Sequence, residues 1–322
     1  MNGAKSFSRH GRVVDWLGYI VLRLVVCAIH CVSLERCDRI SRLLAVVLGD
    51  WTTLRRDVID RNLQLVYGPL TRPQRGYLRR QMWHHLLLMI CEIAHAPRKI
   101  HRTNWRDYVY MRDKDQMMRL IVDSRAKVLV TGHYGNFEVA GYLTGLMGIR
   151  TSPIARPLDN PYANEFLLDF RQRWGQEILP MDGSSAAVQQ LLDAKGNLSI
   201  LADQFAGNKG CWVEFFGHVT SCHKSLALFV LSAQSPMIVI YARRLSRPLQ
   251  FEIGMTGVAD PAAPSGCPKP VYLQSVEDLT RWYNHKLEEA IRMSPMQYWW
   301  LHRRWRNVPE AVKKRLAARQ RN

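Results

Sequence analysis

Between residues 123 and 255, short apolar runs of β type alternate with segments of helical pattern, and this alternation limits the fold more than any other feature. The runs cover 128–131, 152–155, 177–180, 198–202, 237–242 and 251–255. Helical segments lie between several of them: one beginning near Asn136, then 162–174, 184–194 and 225–234. Strand and helix alternating at this spacing predict βαβ units, hence an α/β fold with a mostly parallel central sheet flanked by helices. Ahead of it a helical region reaches to about Ala96. Its clearest member starts after Thr71-Arg72-Pro73, a cap followed by proline in the first turn. Behind it Pro261, Pro264, Pro268 and Pro270 mark a loop, and Ser275-Val276-Glu277-Asp278 opens a late helix with a capping-box pattern.

Composition narrows the function classes. Among 322 residues, 47 % are apolar and 22 % charged, which excludes intrinsic disorder. A mean hydropathy of −0.20 argues against a polytopic membrane protein. The 45 Lys+Arg against 27 Asp+Glu leave a net charge of +18, so an anionic partner is expected: nucleic acid, a phospholipid surface or a phosphorylated substrate. Seven cysteines without a C-x-x-C pair do not make a disulfide scaffold, and a reducing, cytosolic setting fits them. His218, Cys222 and His223 lie close together but lack two ligand couples at zinc spacing, so no metal site is expected.

The stretch 13–32 is apolar but interrupted, and no small-x-small cleavage site follows it, which disfavours a secretory signal. Arg12, Asp15, Tyr19, Arg23 and His30 fall at steps of 3, 4, 4 and 7, one stripe of a helix whose remainder is greasy. Three placements fit. The helix lies in a membrane interface with its basic stripe at the headgroups, packs on the main domain, or spans the bilayer. Arg23 near the centre of a span costs about 3 kcal/mol. We accordingly divide the chain into a membrane-associating helical region, 1–50, and a main domain, 51–322.

In a parallel sheet, ligands bind beyond the carboxyl ends of the strands. Those ends carry His133, Arg156, Asp203 with Gln204, and Arg243 with Arg244, a set suited to an anionic substrate and a histidine base. His133 is followed by Glu138 in Gly132-His133-Tyr134-Gly135-Asn136-Phe137-Glu138. The spacing alone carries nothing. Eleven His and 27 acidic residues give roughly one H-x4-[DE] by chance, and His10/Asp15 and His30/Glu35 share it. On a continuous helix such residues point about 140° apart. His133 differs because a strand and a glycine-flanked turn precede it. There Glu138 in the first helical turn can fold back on one imidazole nitrogen, leaving the other to take a proton from a hydroxyl. A helix-capping histidine with a solvated glutamate fits the same residues, as do a loop N-cap for Asp203 and a surface charge for Arg156.

Near the C-terminus, Trp299-Trp300-Leu301-His302-Arg303-Arg304-Trp305-Arg306 interleaves tryptophan with arginine. That chemistry suits nucleic acid or lipid headgroups. A tryptophan-packed helix with a basic outer face is the structural alternative.

At these residues the sequence resembles the bacterial lipid A biosynthesis (lauroyl/myristoyl) acyltransferase family, within the lysophospholipid-acyltransferase-like superfamily. The carrying segments are T-G-H-Y-G-N-F-E at 131–138, A-R-P-L-D-N-P at 155–161, R-Q-R-W-G at 171–175, L-A-D-Q at 201–204, F-F-G at 215–217 and W-W-L-H-R-R-W at 299–305. Arg61-Asn62-Leu63 is similar to an early family element, and order and spacing agree from about 55 to 309. Tyr134 and Phe137 stand where many members have Phe and Trp, and Ser221-Cys222-His223 replaces a Thr/Ala-rich run.

The resemblance implies acyl transfer from acyl carrier protein, or less often coenzyme A, to a hydroxyl of a membrane glycolipid at the cytoplasmic face of the inner membrane. No cofactor is implied. His133 matches the catalytic histidine and Glu138 its acidic partner, while Arg156 matches the R-P motif and Asp203 the D-Q motif. Arg156 and Arg173 are the candidates for substrate phosphates because guanidinium forks suit them. Gln204 and Asn136 complete the expected binding set, with backbone N–H groups near Gly135-Asn136 as oxyanion donors. Other acceptors remain open, such as a mannosylated phosphatidylinositol or a lysophospholipid. A basic nucleic-acid-binding protein is the reading from another class. It accounts for the Trp/Arg tail but not for His133, the strand-end residues or the greasy helix, so no nucleic-acid partner is expected.

Overall fold

In the computed structural model, which describes residues 9–181, 183–262 and 268–319, four helices precede the sheet. They are α1 (Arg9–His30), α2 (Leu34–Val46), α3 (Arg56–Tyr67) and α4 (Arg72–Lys99). Helix α4 begins where the sequence places it. Thr71 Oγ1 accepts the Gln74 backbone N–H, and the Gln74 side chain accepts the N–H of Thr71, a reciprocal cap with Pro73 in the first turn. Pro264 of the expected loop lies outside the described residues.

Nine strands are described: β1 (Val109–Met111), β2 (Lys127–Thr131), β3 (Ser152–Ala155), β4 (Leu179–Pro180), β5 (Asn197–Leu201), β6 (Cys211–Phe215), β7 (His218–Cys222), β8 (Met237–Arg244) and β9 (Phe251–Ala259). Seven form one sheet in the order β1-β9-β8-β2-β5-β3-β4. From β8 to β4 all neighbours are parallel. β9 runs antiparallel to β8, and β1 follows β9. The sheet is therefore mostly parallel, as expected, with a reversed edge. β6 and β7 form a separate antiparallel hairpin that the sequence reading did not foresee, because its residues entered only as motifs.

The remaining helices are α5 (Lys114–Val122), α6 (Phe137–Leu146), α7 (Pro161–Gln172), α8 (Ser184–Asp193), α9 (Ser225–Ala233), α10 (Val276–Met293) and α11 (Glu310–Arg319). Alternation along the strands separates two cores. Val128 and Val130 are buried with Leu226, Val230, Leu287 and Ile291 of α9 and α10. Leu129 and Ile238 are buried with Val139, Tyr142 and Leu143 of α6. Each such side chain contributes about 1.5–3 kcal/mol on full burial. A one-residue slip of β2 would exchange its two faces, so the register is firmly set.

Two expectations change. Residues 299–306 are not helical but form an irregular segment folded into the interior. Arg304 is 1 % exposed and donates to the carbonyls of Gln204 and Ser221, Trp300 is buried, and Trp305 stacks on Phe215. Arg303 and Arg306, two of its three arginines, face out, so the segment combines an interior clamp at Trp300, Arg304 and Trp305 with a small basic outer edge.

The polarity of α1 is also reversed from the interfacial expectation. Part of its polar stripe turns toward the protein: Tyr19 lies against Tyr162 and Phe166, Arg23 sits over the Phe166 ring while staying exposed, and His30 bonds the Ala94 carbonyl. Val13, Val14, Trp16, Leu17, Val21, Leu24 and Val25 face outward. By length and composition Arg12–His30, with a mean hydropathy of 1.8, is enough to cross a membrane.

Candidate active site

His133 and Asp203 meet through strand register. Thr131 of β2 pairs with Leu201 of β5 in parallel, so the residues two places beyond each end lie side by side. His133 Nδ1 and Asp203 Oδ1 are 2.8 Å apart, and the Asp203 side chain is 3 % exposed. Burial alone would lower the His133 pKa, but the Asp203 carboxylate, with a smaller contribution from Glu138, holds it above the ordinary value. Burial opposes ionisation of Asp203 too, yet the imidazolium and the hydrogen bonds around it bring its pKa down to about 2. The pair thus stabilises the imidazolium once the ring takes up a proton. With Nδ1 bound to Asp203, Nε2 is the nitrogen left to receive a proton, and the Gln204 amide lies 3.4 Å from it. Phe137 and Trp299 close on the ring edge-on, each 5.1 Å between centroids.

Glu138 does not hold the imidazole. Its carboxylate forms a two-point ion pair with the Arg171 guanidinium of α7, because the first turn of α6 directs it across the hollow rather than back over the turn. Glu138, Arg171 and Phe137 line this hollow beside Thr131, Ile154 and Ile240. Among the described residues no group of three or more His, Cys, Asp or Glu side chains is arranged to hold a metal ion.

The family model described as "Bacterial lipid A biosynthesis acyltransferase" matches residues 1–307. The chain belongs to this family. It is 24 % identical over 320 residues to the lipid A biosynthesis lauroyltransferase of Escherichia coli K12, covering 94 % of both chains. Among solved structures it resembles the 1-acyl-sn-glycerophosphate acyltransferase PlsC of Thermotoga maritima, with 11 % identity, 84 % of this chain and all of that one covered, and a TM-score of 0.39. As a lipid A biosynthesis acyltransferase the protein is an enzyme that acylates a lipid, and its family implies a glycolipid acceptor and an acyl donor.

The other expected site residues of this acyltransferase divide. Arg156 lies just past β3, at the carboxyl end of the sheet, exposed and loosely paired with the exposed Asp159 at 3.3 Å. Arg173 does not converge with it. It pairs with Asp169 and borders a separate hollow with Arg102, Arg150 and Gly145, at the far end of α6. Ten residues of helix place that end about 15 Å from the start of α6. Asn136 is not a ligand-facing residue: it is fully buried, caps α6 by accepting the Val139 N–H, and donates to Glu92. The N–H groups of Gly135 and Asn136 are spent on the Gln297 and Ala242 carbonyls, so neither is an oxyanion donor. Arg243 pairs with Glu252 and Arg244 with the buried Glu92, which removes both from the substrate side.

Sequence reasoning missed Arg171, though it stands in the same R-Q-R-W-G run as Arg173. Residues two apart on a helix point about 200° apart, so one arginine of the run faces the hollow and the other faces away. Helix phase was the usable signal. Trp299 was read for its surface chemistry, whereas its backbone N–H holds the His133 carbonyl at 3.0 Å.

Proposed function

We propose that this enzyme transfers a fatty acyl chain from acyl carrier protein, or coenzyme A, to a hydroxyl of a phosphorylated glycolipid such as a lipid A precursor, at the cytoplasmic face of the inner membrane. The observation that carries the reading is the His133–Asp203 pair at the carboxyl end of a parallel sheet, with Nε2 turned away from Asp203. In the reaction His133 Nε2 takes the proton of the acceptor hydroxyl as its oxygen attacks the thioester carbonyl. Asp203 orients the ring and stabilises the imidazolium. The C–S bond then breaks and the imidazolium returns its proton to the leaving thiolate. Thioesters are activated, so no acyl-enzyme is needed. Glu138, clasped by Arg171, adds negative charge near the ring and forms part of the wall.

The hollow at Phe137 and Glu138 shares Leu129, Thr144 and Ile240 with a second, almost wholly apolar hollow lined by Ile121, Ile253 and Met255. An acyl chain suits such walls. Arg156 is the candidate contact for an acceptor phosphate. Membrane association, assigned to residues 1–50, is supported by the outward apolar face of α1 and by Ile40, Leu43, Leu44, Val47, Trp51 and Leu54, exposed at steps of 3, 1, 3, 4 and 3 along and beyond α2.

His133→Ala tests the reading. Transfer from acyl carrier protein to a lipid A precursor should fall by at least about 100-fold while sedimentation with membranes is unchanged. Retained turnover would remove His133 as the base.

A further inference from the structure

Behind the turn that carries His133 lies a buried charged network. Glu92 of α4, wholly buried, is paired with Arg244 at the end of β8 by two hydrogen bonds of 2.5 and 2.7 Å. Its two oxygens also accept the Leu249 backbone N–H at 3.0 Å and the Asn136 amide at 3.0 Å. Arg244 Nη1 donates to His85 Nδ1 at 2.9 Å. A guanidinium has only donors, so Nδ1 carries the lone pair and Nε2 carries the proton. That Nε2–H reaches the carbonyl of Gly135 at 3.2 Å. Burial first, then the Arg244 charge, keeps His85 neutral, with its pKa well below the ordinary value. The Gln297 side chain meanwhile pairs with both backbone groups of Arg244, and the Gln297 backbone carbonyl accepts the Gly135 N–H.

The network therefore grips Gly135 by both its N–H and its C=O, and grips Asn136 by its side chain. Gly135 has φ of +61°, and a Cβ there would strike the Ala242 carbonyl, so this stretch of backbone has little room to relax. Buried ion pairs contribute little net stability compared with well-packed apolar side chains. A fully satisfied pair ending on one backbone carbonyl is better explained by the geometry it fixes.

We propose that Glu92, Arg244 and His85 are positioning residues: they lock the Gly135–Asn136 backbone so that His133, two residues upstream, meets Asp203 with Nε2 turned away from it. The inference rests on the reading of His133 as the base. No member of the network touches the reacting atoms. Its effect passes through the turn to a ring whose titratable neighbours are Asp203, Glu138 and His302.

The test uses the full chain in bilayer nanodiscs. His85→Leu preserves bulk but loses both hydrogen bonds, whereas His85→Gln supplies an amide N–H for Gly135 and an oxygen for Arg244. For His85→Leu we expect kcat to fall at least about tenfold with KM within about twofold. In 15N-histidine NMR spectra, the His133 titration should move down by about half a pH unit as its hold on Asp203 loosens. His85→Gln should restore both. Asn136→Ser keeps the helix cap and removes only the donor to Glu92. It carries the same expectation in kcat and titration if His85→Leu does not accumulate. Activity lost only in proportion to folded protein, with the His133 titration unmoved, would make the network merely structural and overturn the proposal. So would a wild-type kcat in His85→Leu. If the wild-type protein transfers no acyl chain, the functional reading fails, while the NMR arm still reports on the turn.

Discussion

His133, Gly135 and Asn136 each carry hydrogen bonds to β8, α4 or the segment around Trp299, whereas helix α7, which borders the same hollow, buries none of its residues. Its ties include the Arg171–Glu138 ion pair, Phe170 stacked over Tyr142 at 6.3 Å, and the contacts of Tyr162 and Phe166 with Tyr19 and Arg23 of α1. The difference fits a division of labour. A proton acceptor loses its use when displaced by an ångström, so it sits on backbone that is fixed from three sides. A wall for the proposed lipid chain has to give way, and it is drawn from a helix with no fully buried residue. α7 also touches α1, so the soft side of the hollow is the side next to the outward-facing apolar helix.

The largest effect should come from breaking the fixed side at Asp203. Asp203→Asn leaves the shape intact but removes the charge that stabilises the imidazolium, and kcat should fall by about 10²–10⁴. The pH profile gives the sign. In the wild type Asp203 holds the His133 pKa above the ordinary histidine value, so the acid limb of kcat/KM is displaced upward. In Asp203→Asn the limb should move to lower pH, because burial then acts without its counterweight. Stability follows the same linkage. The raised His133 pKa contributes stability that is complete below the unfolded value and is lost as pH rises through the folded one. A limb that stays in place would dissociate Asp203 from His133.

An intermediate effect is expected on the soft side. Arg171→Ala removes the cation that clasps Glu138, leaving a partly buried carboxylate near His133 without its partner. Activity should fall by about tenfold, equivalent to about 1.4 kcal/mol. Its acid limb should move up, opposite to that of Asp203→Asn, since Glu138 acts to raise the His133 pKa and would no longer be neutralised. Opposite shifts from the two variants would separate the two carboxylates. Parallel shifts would mean that Glu138 and Asp203 act on the ring as one unit.

These contrasts also mark what the sequence could tell. The end of β2, the glycine-flanked turn and the start of α6 are local, and they were legible because alternation, glycine and a capping asparagine act over a few residues. Asp203 was legible as a strand-end residue. Its contact with His133 was not, since that depends on β2 pairing with β5 in one register across 70 residues of chain. The same limit hid Arg171 from Glu138, 33 residues away, and Glu92 from Arg244, 152 residues away. The tail misled for a different reason. Arginine beside tryptophan reads as a surface, and only tertiary packing shows that Arg304 satisfies the carbonyls of Gln204 and Ser221 from inside.

The smallest effects distinguish two arginines that look alike in sequence. Both are exposed, and each is paired with a nearby carboxylate, so neither substitution should alter stability measurably. Their positions differ: Arg156 is at the carboxyl end of β3, whereas Arg173 is at the far end of α6. Arg156→Ala should raise KM for a phosphorylated acceptor several-fold, about 1 kcal/mol of lost charge-assisted contact, with kcat unchanged. Arg173→Ala should leave both constants within about twofold. Steady-state kinetics at two salt concentrations checks the pair, because a phosphate contact at Arg156 should weaken as salt rises. An equal rise in KM for both variants would mean that the acceptor reaches along the whole of α6, past the soft wall formed by α7, and would extend the substrate surface well beyond the catalytic end of the sheet.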